Sequence, residues 1–117
     1  MLEKYFSASK TLRRLRGGIS GPHIDAFADD LERDRYAPAS AVRYIRAAAH
    51  LGCFVQWKGD VLSDVDSATI GSFDRHLSHC RCPHFKRAKI GYHLRFGVKL
   101  FRQHLIGCGV CSRFHPL

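Results

Sequence analysis

Apolar residues recur every three or four positions in four segments of the chain, the spacing of one face of an α-helix. No segment shows the alternation of apolar and polar residues that a half-buried strand requires. The pattern predicts helices from Pro22 to the Tyr36–Pro38 break, from Pro38 to about Lys58, after Asp66 as N-cap, and from about Phe85 to Ile106. We therefore expect an all-α fold of four helices, with Phe27, Ile45, Leu51, Phe73, Ile90, Leu94, Val98 and Phe101 in its core.

The residues before the first predicted helix form a basic arm. Lys10, Arg13, Arg14 and Arg16 precede the Gly17–Gly18 pair, which is a poor place to continue a helix. Residues 1–20 are therefore predicted to be the arm, residues 21–107 the helical domain and residues 108–117 a short tail. With 117 residues, 45% of them hydrophobic, the chain can bury one core. No export signal or membrane span is recognisable, so we expect a soluble, cytoplasmic protein with no membrane partner.

The formal net charge of +9 is unevenly distributed along the chain. Five acids lie in the first predicted helix, and no carboxylate side chain follows Asp74, although nine lysines and arginines do. A charge polarised in this way favours a polyanion as partner.

Two predicted helices carry basic residues at helical spacing. On the second helix, Arg43, Arg46, His50 and Trp57 fall together opposite the core face, and on the fourth a basic stripe follows i, i+4, i+7 spacing beside Tyr92. Such residues can follow a phosphate backbone and release its counterions. The two aromatic residues either rest against sugars or cap the edge of the core. The candidate DNA-binding residues are Arg43, Arg46, His50, Arg87, Arg95, Lys99 and Arg102.

The five cysteines, an odd number without an export signal, indicate reduced thiols or a metal and not a disulfide framework. Cys80, Cys82, Cys108 and Cys111 could bind zinc together, or in a mixed set with His79, His84 or His104. The intervening helix would be about 30 Å long at roughly 1.5 Å per residue, so a shared ion requires the tail to fold back. We therefore expect no cofactor, and thiols that pack near loops, with Cys53 in the second helix.

The stretch GPHIDAFADDLERDRYAPASAVRYIRAAAHLGCFVQWKGDVLSDVDSATIGSFDRHL resembles the amino-terminal core-binding domain of tyrosine recombinases (phage-type integrases), particularly those of bacterial mobile elements. The resemblance extends from about Arg14 to Val110. It is carried by Phe27 and Leu31, the Tyr36–Pro38 break, the long second helix, the LSDVD lead into the third and the LFRQHLIGCGV close. It implies a SAM-like four-helix bundle that forms half of a clamp around duplex DNA, with the second and fourth helices near the duplex. Other recombinase protomers on the same DNA are further partners that it implies.

The chain departs from the recombinase pattern in its chemistry. The family's catalytic domain needs an arginine, a lysine, a His-x-x-Arg box and a later nucleophilic tyrosine. His84 and Arg87 match the box as a string, but Tyr92 follows too closely to be that nucleophile. Ala37 also stands where a serine or threonine cap is common. We therefore expect a chain that binds DNA without cutting or joining it.

Two other functions fit the same residues. One is a small helical protein-interaction module that uses the exposed side of the second helix, and the other is a zinc-stabilised DNA-binding regulator. Salt dependence separates DNA binding from an apolar protein interface, and metal content tests the second alternative.

Overall fold

The computed structural model describes residues 2–80, 82, 85 and 91–111, and within them the chain is helical, with no strand. The all-α prediction is therefore confirmed. The helices are α1 (Ser9–Gly17), α2 (Gly21–Arg33), α3 (Pro38–Trp57), α4 (Ser67–His76) and α5 (Tyr92–Gly107). Single 3-10 turns lie at Leu2–Lys4, Leu62–Asp64 and Leu77–His79.

Local sequence explains where α3 begins and ends and where α4 begins. Pro38 occupies the first turn of α3, where its missing N–H costs no hydrogen bond. Gly59, with φ of 80°, adopts the left-handed conformation just after that helix. The Asp66 carboxylate caps α4 by accepting a hydrogen bond from the Thr69 N–H at 2.7 Å.

The helix α1 lies within the predicted basic arm and makes the fold a five-helix one in the described residues, where four helices were expected. Its Leu15 is buried, as are Leu2 and Phe6 before it. The Gly17–Gly18 pair ends this helix without preventing it. The cations alone predict an arm. Buried apolar side chains such as Leu15 nevertheless anchor this segment to the rest of the chain.

The core lies around α3, whose largest interface among the described residues is with α5. Gly97 of α5 is buried against α3, where an added Cβ would come within 2.8 Å of the Tyr44 Cα and 3.0 Å of the Ala47 Cβ. The Phe27 and Phe101 rings meet edge to face at 5.1 Å between α2 and α5. The predicted core positions are confirmed as buried, Ile90 apart: Phe27, Ile45, Leu51, Phe73, Leu94, Val98 and Phe101.

Helix α5 begins later than the pattern predicts. Phe85 lies in a turn, its N–H bonded to the Cys82 carbonyl at 3.1 Å, and Gly91 is extended immediately before the helix. The expected helix start at about Phe85 is therefore wrong, because Phe85 itself lies in a turn and the extended backbone at Gly91 directly precedes the first residue of α5. Ile90 lies outside the described residues. In the part of the chain that is described, no helix combines the length and the apolar character needed to cross a membrane.

Candidate nucleic-acid interface and histidine–cysteine cluster

Two arginines of α3 project from its surface as the sequence predicts. Arg43 is exposed, and its Nη1 lies 3.3 Å from Nδ1 of His93 on α5. Arg46 is exposed too, and its guanidinium lies 5.6 Å from the centre of the Phe6 ring, within the range of a cation–π contact. Among the described residues neither arginine has a carboxylate within ion-pair distance. Both charges are thus available to an anion.

The basic stripe of α5 is present, but its three members differ in their surroundings. Arg95 donates from Nε to the Asp74 carboxylate at 2.7 Å, whereas Lys99 is exposed and has no ion pair among the described side chains. Both line a cavity of about 310 Å³ between α4 and α5. Arg102 is half-buried, with its Nε unpartnered among the described residues. It lies near Cys111, where its charge opposes the burial that raises the pKa of that thiol.

Carboxylates on α2 are paired with cations of the N-terminal part of the chain. Asp25 accepts hydrogen bonds at 2.8 Å from both Nε and Nη2 of Arg16, which also binds Glu3. These hydrogen bonds from Arg16 hold the pKa of both carboxyl groups below its ordinary range. Lys4 pairs with Glu32 in the same region. Arg16 and Lys4 therefore balance the charges of Asp25 and Glu32.

His50 does not belong to the exposed basic side of α3. Its side chain is 0% exposed, stacked on Phe85 at 4.6 Å and met edge-on by Phe73 at 4.9 Å. The prediction that His50 contacts DNA is wrong, because α4 and the turn at Phe85 cover the middle of this side of α3. Trp57 and Tyr92 do project into solvent, with exposures of 76% and 67%. Arg87 lies outside the described residues.

Around His50 the structure brings together side chains that are far apart in sequence. One ligand atom from each of His50, His76, Cys80 and Cys82 lies within 4.8 Å of the others. Nε2 of His50 is 3.1 Å from Sγ of Cys80, and Nε2 of His76 is 3.4 Å from Sγ of Cys82. Helix α3 supplies the first histidine, the end of α4 the second, and the segment after it both cysteines. We call these four residues the histidine–cysteine cluster.

Burial controls the protonation of this cluster. It lowers the pKa of His50 to about 4, with a smaller contribution from the nearby His76, and it lowers the pKa of His76 as well. Both imidazoles are therefore neutral at pH 7, the form that binds a metal ion. Burial, together with hydrogen bonds with the Cys80 and Cys53 thiols, also raises the pKa of the Cys82 thiol to about 12. A bound divalent cation would instead lower the pKa of the thiol, because it stabilises the thiolate form.

The zinc set considered from the sequence differs from this arrangement. Cys108 lies 3.6 Å from Nε2 of His104, and the Cys111 thiol donates to the Leu62 carbonyl at 3.0 Å, so neither cysteine joins the cluster. His104 instead pairs with Asp30. His79 is exposed outside the cluster, and His84 lies outside the described residues.

The helical spacing and charge pattern of the sequence indicate neither cluster histidine as a metal ligand. The helical spacing places His50 on the exposed basic side of the second helix, and it gives His76 no role. The spacing of His76, Cys80 and Cys82 is a usable signal, since with His79 four potential metal-binding side chains fall within seven residues there.

A scan of the chain against protein-family models gave no match, and searches of curated proteins and of solved structures gave none either.

Proposed function

We propose that this chain is a DNA-binding domain of the kind its sequence resembles, the core-binding domain of a tyrosine recombinase. It would contact duplex DNA through α3 and α5. The observation that supports this most is the separation of charge. Carboxylates of α2 have cations as partners, whereas Arg43, Arg46 and Lys99 are exposed with no carboxylate at ion-pair distance among the described residues.

Cations that are not already paired bind phosphate most readily. An arginine held by a carboxylate must give up that bond before it gains a phosphate, so Arg95 contributes less than Lys99 one turn later. Arg102 is half-buried and reaches less far. We therefore expect Arg43, Arg46 and Lys99 to make the stronger phosphate contacts.

The aromatic residue beside these cations supports the same surface. Tyr92 is exposed at the first residue of α5, and its ring is stacked on Phe96 at 5.3 Å. It lies next to His93, the residue that Arg43 contacts. A ring held in this way can pack against a sugar while the arginine binds a phosphate.

Binding of a fluorescent duplex, measured by anisotropy at several salt concentrations, tests the proposal. Each phosphate contact contributes about 0.9 to the slope of log affinity against log salt. Replacing Arg43 and Arg46 by alanine should lower the magnitude of that slope by about 2. The Arg95, Lys99 and Arg102 triple variant should lower it by about 1 to 2, because Lys99 makes a full contact and the other two make weaker ones.

A matched control removes two cations from the acidic side. The variant with Lys4→Ala and Arg33→Ala loses the same net charge as the Arg43 and Arg46 double variant, but both residues pair with carboxylates of α2 or its end. Its slope should stay close to that of the wild type. Equal slopes for the two double variants would contradict the proposed surface. Absence of salt-dependent DNA binding by the wild type would contradict the function and favour the protein-interaction module.

A further inference from the structure

We propose that His50, His76, Cys80 and Cys82 form a structural zinc site that ties α3 to the end of α4 and the segment after it. The inference does not depend on DNA binding, since it rests on the geometry of the histidine–cysteine cluster alone.

The distances within the cluster suit one tetrahedral ion. Zinc binds sulfur at about 2.3 Å and nitrogen at about 2.0 to 2.1 Å, so neighbouring ligand atoms lie about 3.3 to 3.8 Å apart. The pairs His50–Cys80 and His76–Cys82 measure 3.1 and 3.4 Å, and all four ligand atoms lie within 4.8 Å of one another. Small side-chain movements would complete the tetrahedron.

The composition of the cluster also suits its burial. Two thiolates and two neutral imidazoles carry the charge that cancels that of a divalent cation, so no net charge would be buried. Nitrogen and sulfur ligands in tetrahedral arrangement favour zinc over hard cations such as magnesium and calcium. All four positions are supplied by the protein, which is the pattern of structural sites and not of catalytic ones.

The surroundings of His50 point the same way. The imidazole is fully buried and fixed between Phe85 and Phe73, an ordered orientation that a metal ligand needs. Among the described residues its Nε2 has the sulfur of Cys80 as its one partner, and its Nδ1 has none. A thiol is a weak hydrogen-bonding group, so a metal bond would offset much more of the cost of burying this ring.

A Cys80–Cys82 disulfide is the competing use of the same thiols. It would join two residues that are close in sequence, so it would constrain the unfolded chain little. It would also leave the buried His50 and the half-buried His76 without a thiol that can donate a hydrogen bond to the ring. The two possibilities differ in metal content and in thiol reactivity.

The first measurement needs only the wild-type chain. Purified under reducing conditions without chelators or a histidine tag, it should contain one equivalent of zinc by elemental analysis and by native mass spectrometry. Replacement of zinc by Co²⁺ should give the visible absorption of a tetrahedral site together with thiolate charge-transfer bands. A folded wild-type chain without bound zinc that takes up no Co²⁺ would overturn the proposal.

Variants then identify the ligands. Cys80→Ser and Cys82→Ser should each lose about half of the charge-transfer intensity or lose the metal, and should unfold at lower temperature. Cys108→Ser removes an exposed thiol outside the cluster and should keep full metal content and spectrum. Loss of the charge-transfer bands in Cys108→Ser or Cys111→Ser, with retention in Cys80→Ser, would overturn this ligand assignment. Detection of a Cys80–Cys82 disulfide in metal-free, folded chain would favour the competing use.

Discussion

Gly97 allows the close contact between α3 and α5, and its replacement by alanine tests that contact directly. The added Cβ would lie 2.8 Å from the Tyr44 Cα and 3.0 Å from the Ala47 Cβ. The first of these is a backbone atom, so relief requires the two helices to move apart. Overpacking of this kind costs about 1 to 3 kcal/mol, while alanine inside a helix gains about 1 kcal/mol over glycine.

We expect the steric cost to lie at about 2 to 3 kcal/mol, because the nearest atom is backbone and the α3–α5 interface is the largest in the described structure. After the gain of about 1 kcal/mol, Gly97→Ala should reduce the free energy of unfolding by about 1 to 2 kcal/mol, or the melting temperature by roughly 4 °C per kcal/mol. Urea unfolding followed by circular dichroism measures this. Gly107→Ala is the control, since a Cβ there meets nothing within 4 Å at the end of the same helix. It should be neutral or slightly stabilising. A Gly97→Ala variant as stable as Gly107→Ala would refute the close packing.

Three further predictions concern the core, the ion pairs and the absence of chemistry. Phe101→Ala removes a fully buried ring and should cost about 3 to 5 kcal/mol of unfolding free energy in the same urea assay, and a loss near zero would mean that α5 packs differently. Arg16 lowers the pKa of Asp25, so this pair stabilises the fold above the unfolded carboxyl pKa of about 3.9 and ceases to do so as pH falls through the lower folded value. The stability difference between wild type and Asp25→Asn, measured against pH, should therefore shrink towards zero in acid, whereas a constant difference would exclude the ionic contribution. Supercoiled plasmid incubated with the chain should be neither nicked nor relaxed, and a covalent tyrosine adduct with DNA would contradict that expectation.

Much of the fold follows from local sequence. The spacing of apolar residues located α2, α3 and α4 closely and the body of α5, since each helix buries one side and that side repeats every three or four residues. Pro38, Gly59 and Asp66 set helix ends for reasons that act within one turn. Such features need no knowledge of distant neighbours.

The candidate sites depend on contacts between distant parts of the chain, which the helical spacing of the sequence does not reveal. On a helical wheel His50 falls beside Arg43 and Arg46, yet it is buried because the rings of Phe73 and Phe85 cover it. The same coverage brings His76, Cys80 and Cys82 to it. Helix α1 is not predicted for a related reason. Its cations are evident in the sequence, but the pairing of Arg16 with Asp25 and Glu3, which ties this helix to its neighbours, is not.

The ion pairs of the N-terminal part have a consequence for the order of folding. Arg16 and Asp25 are 9 residues apart and Leu2 and Asp25 are 23, whereas Arg43 and His93, which join α3 to α5, are separated by 50. Closing a loop of about 50 residues costs roughly 1.5 kcal/mol more entropy than closing one of about 9. We expect α1 and α2 to associate early and α5 to join last, as non-local contacts generally form more slowly. The cations that α5 carries would then reach their positions only when the chain is fully folded, so a partly folded chain would lack that half of the basic surface.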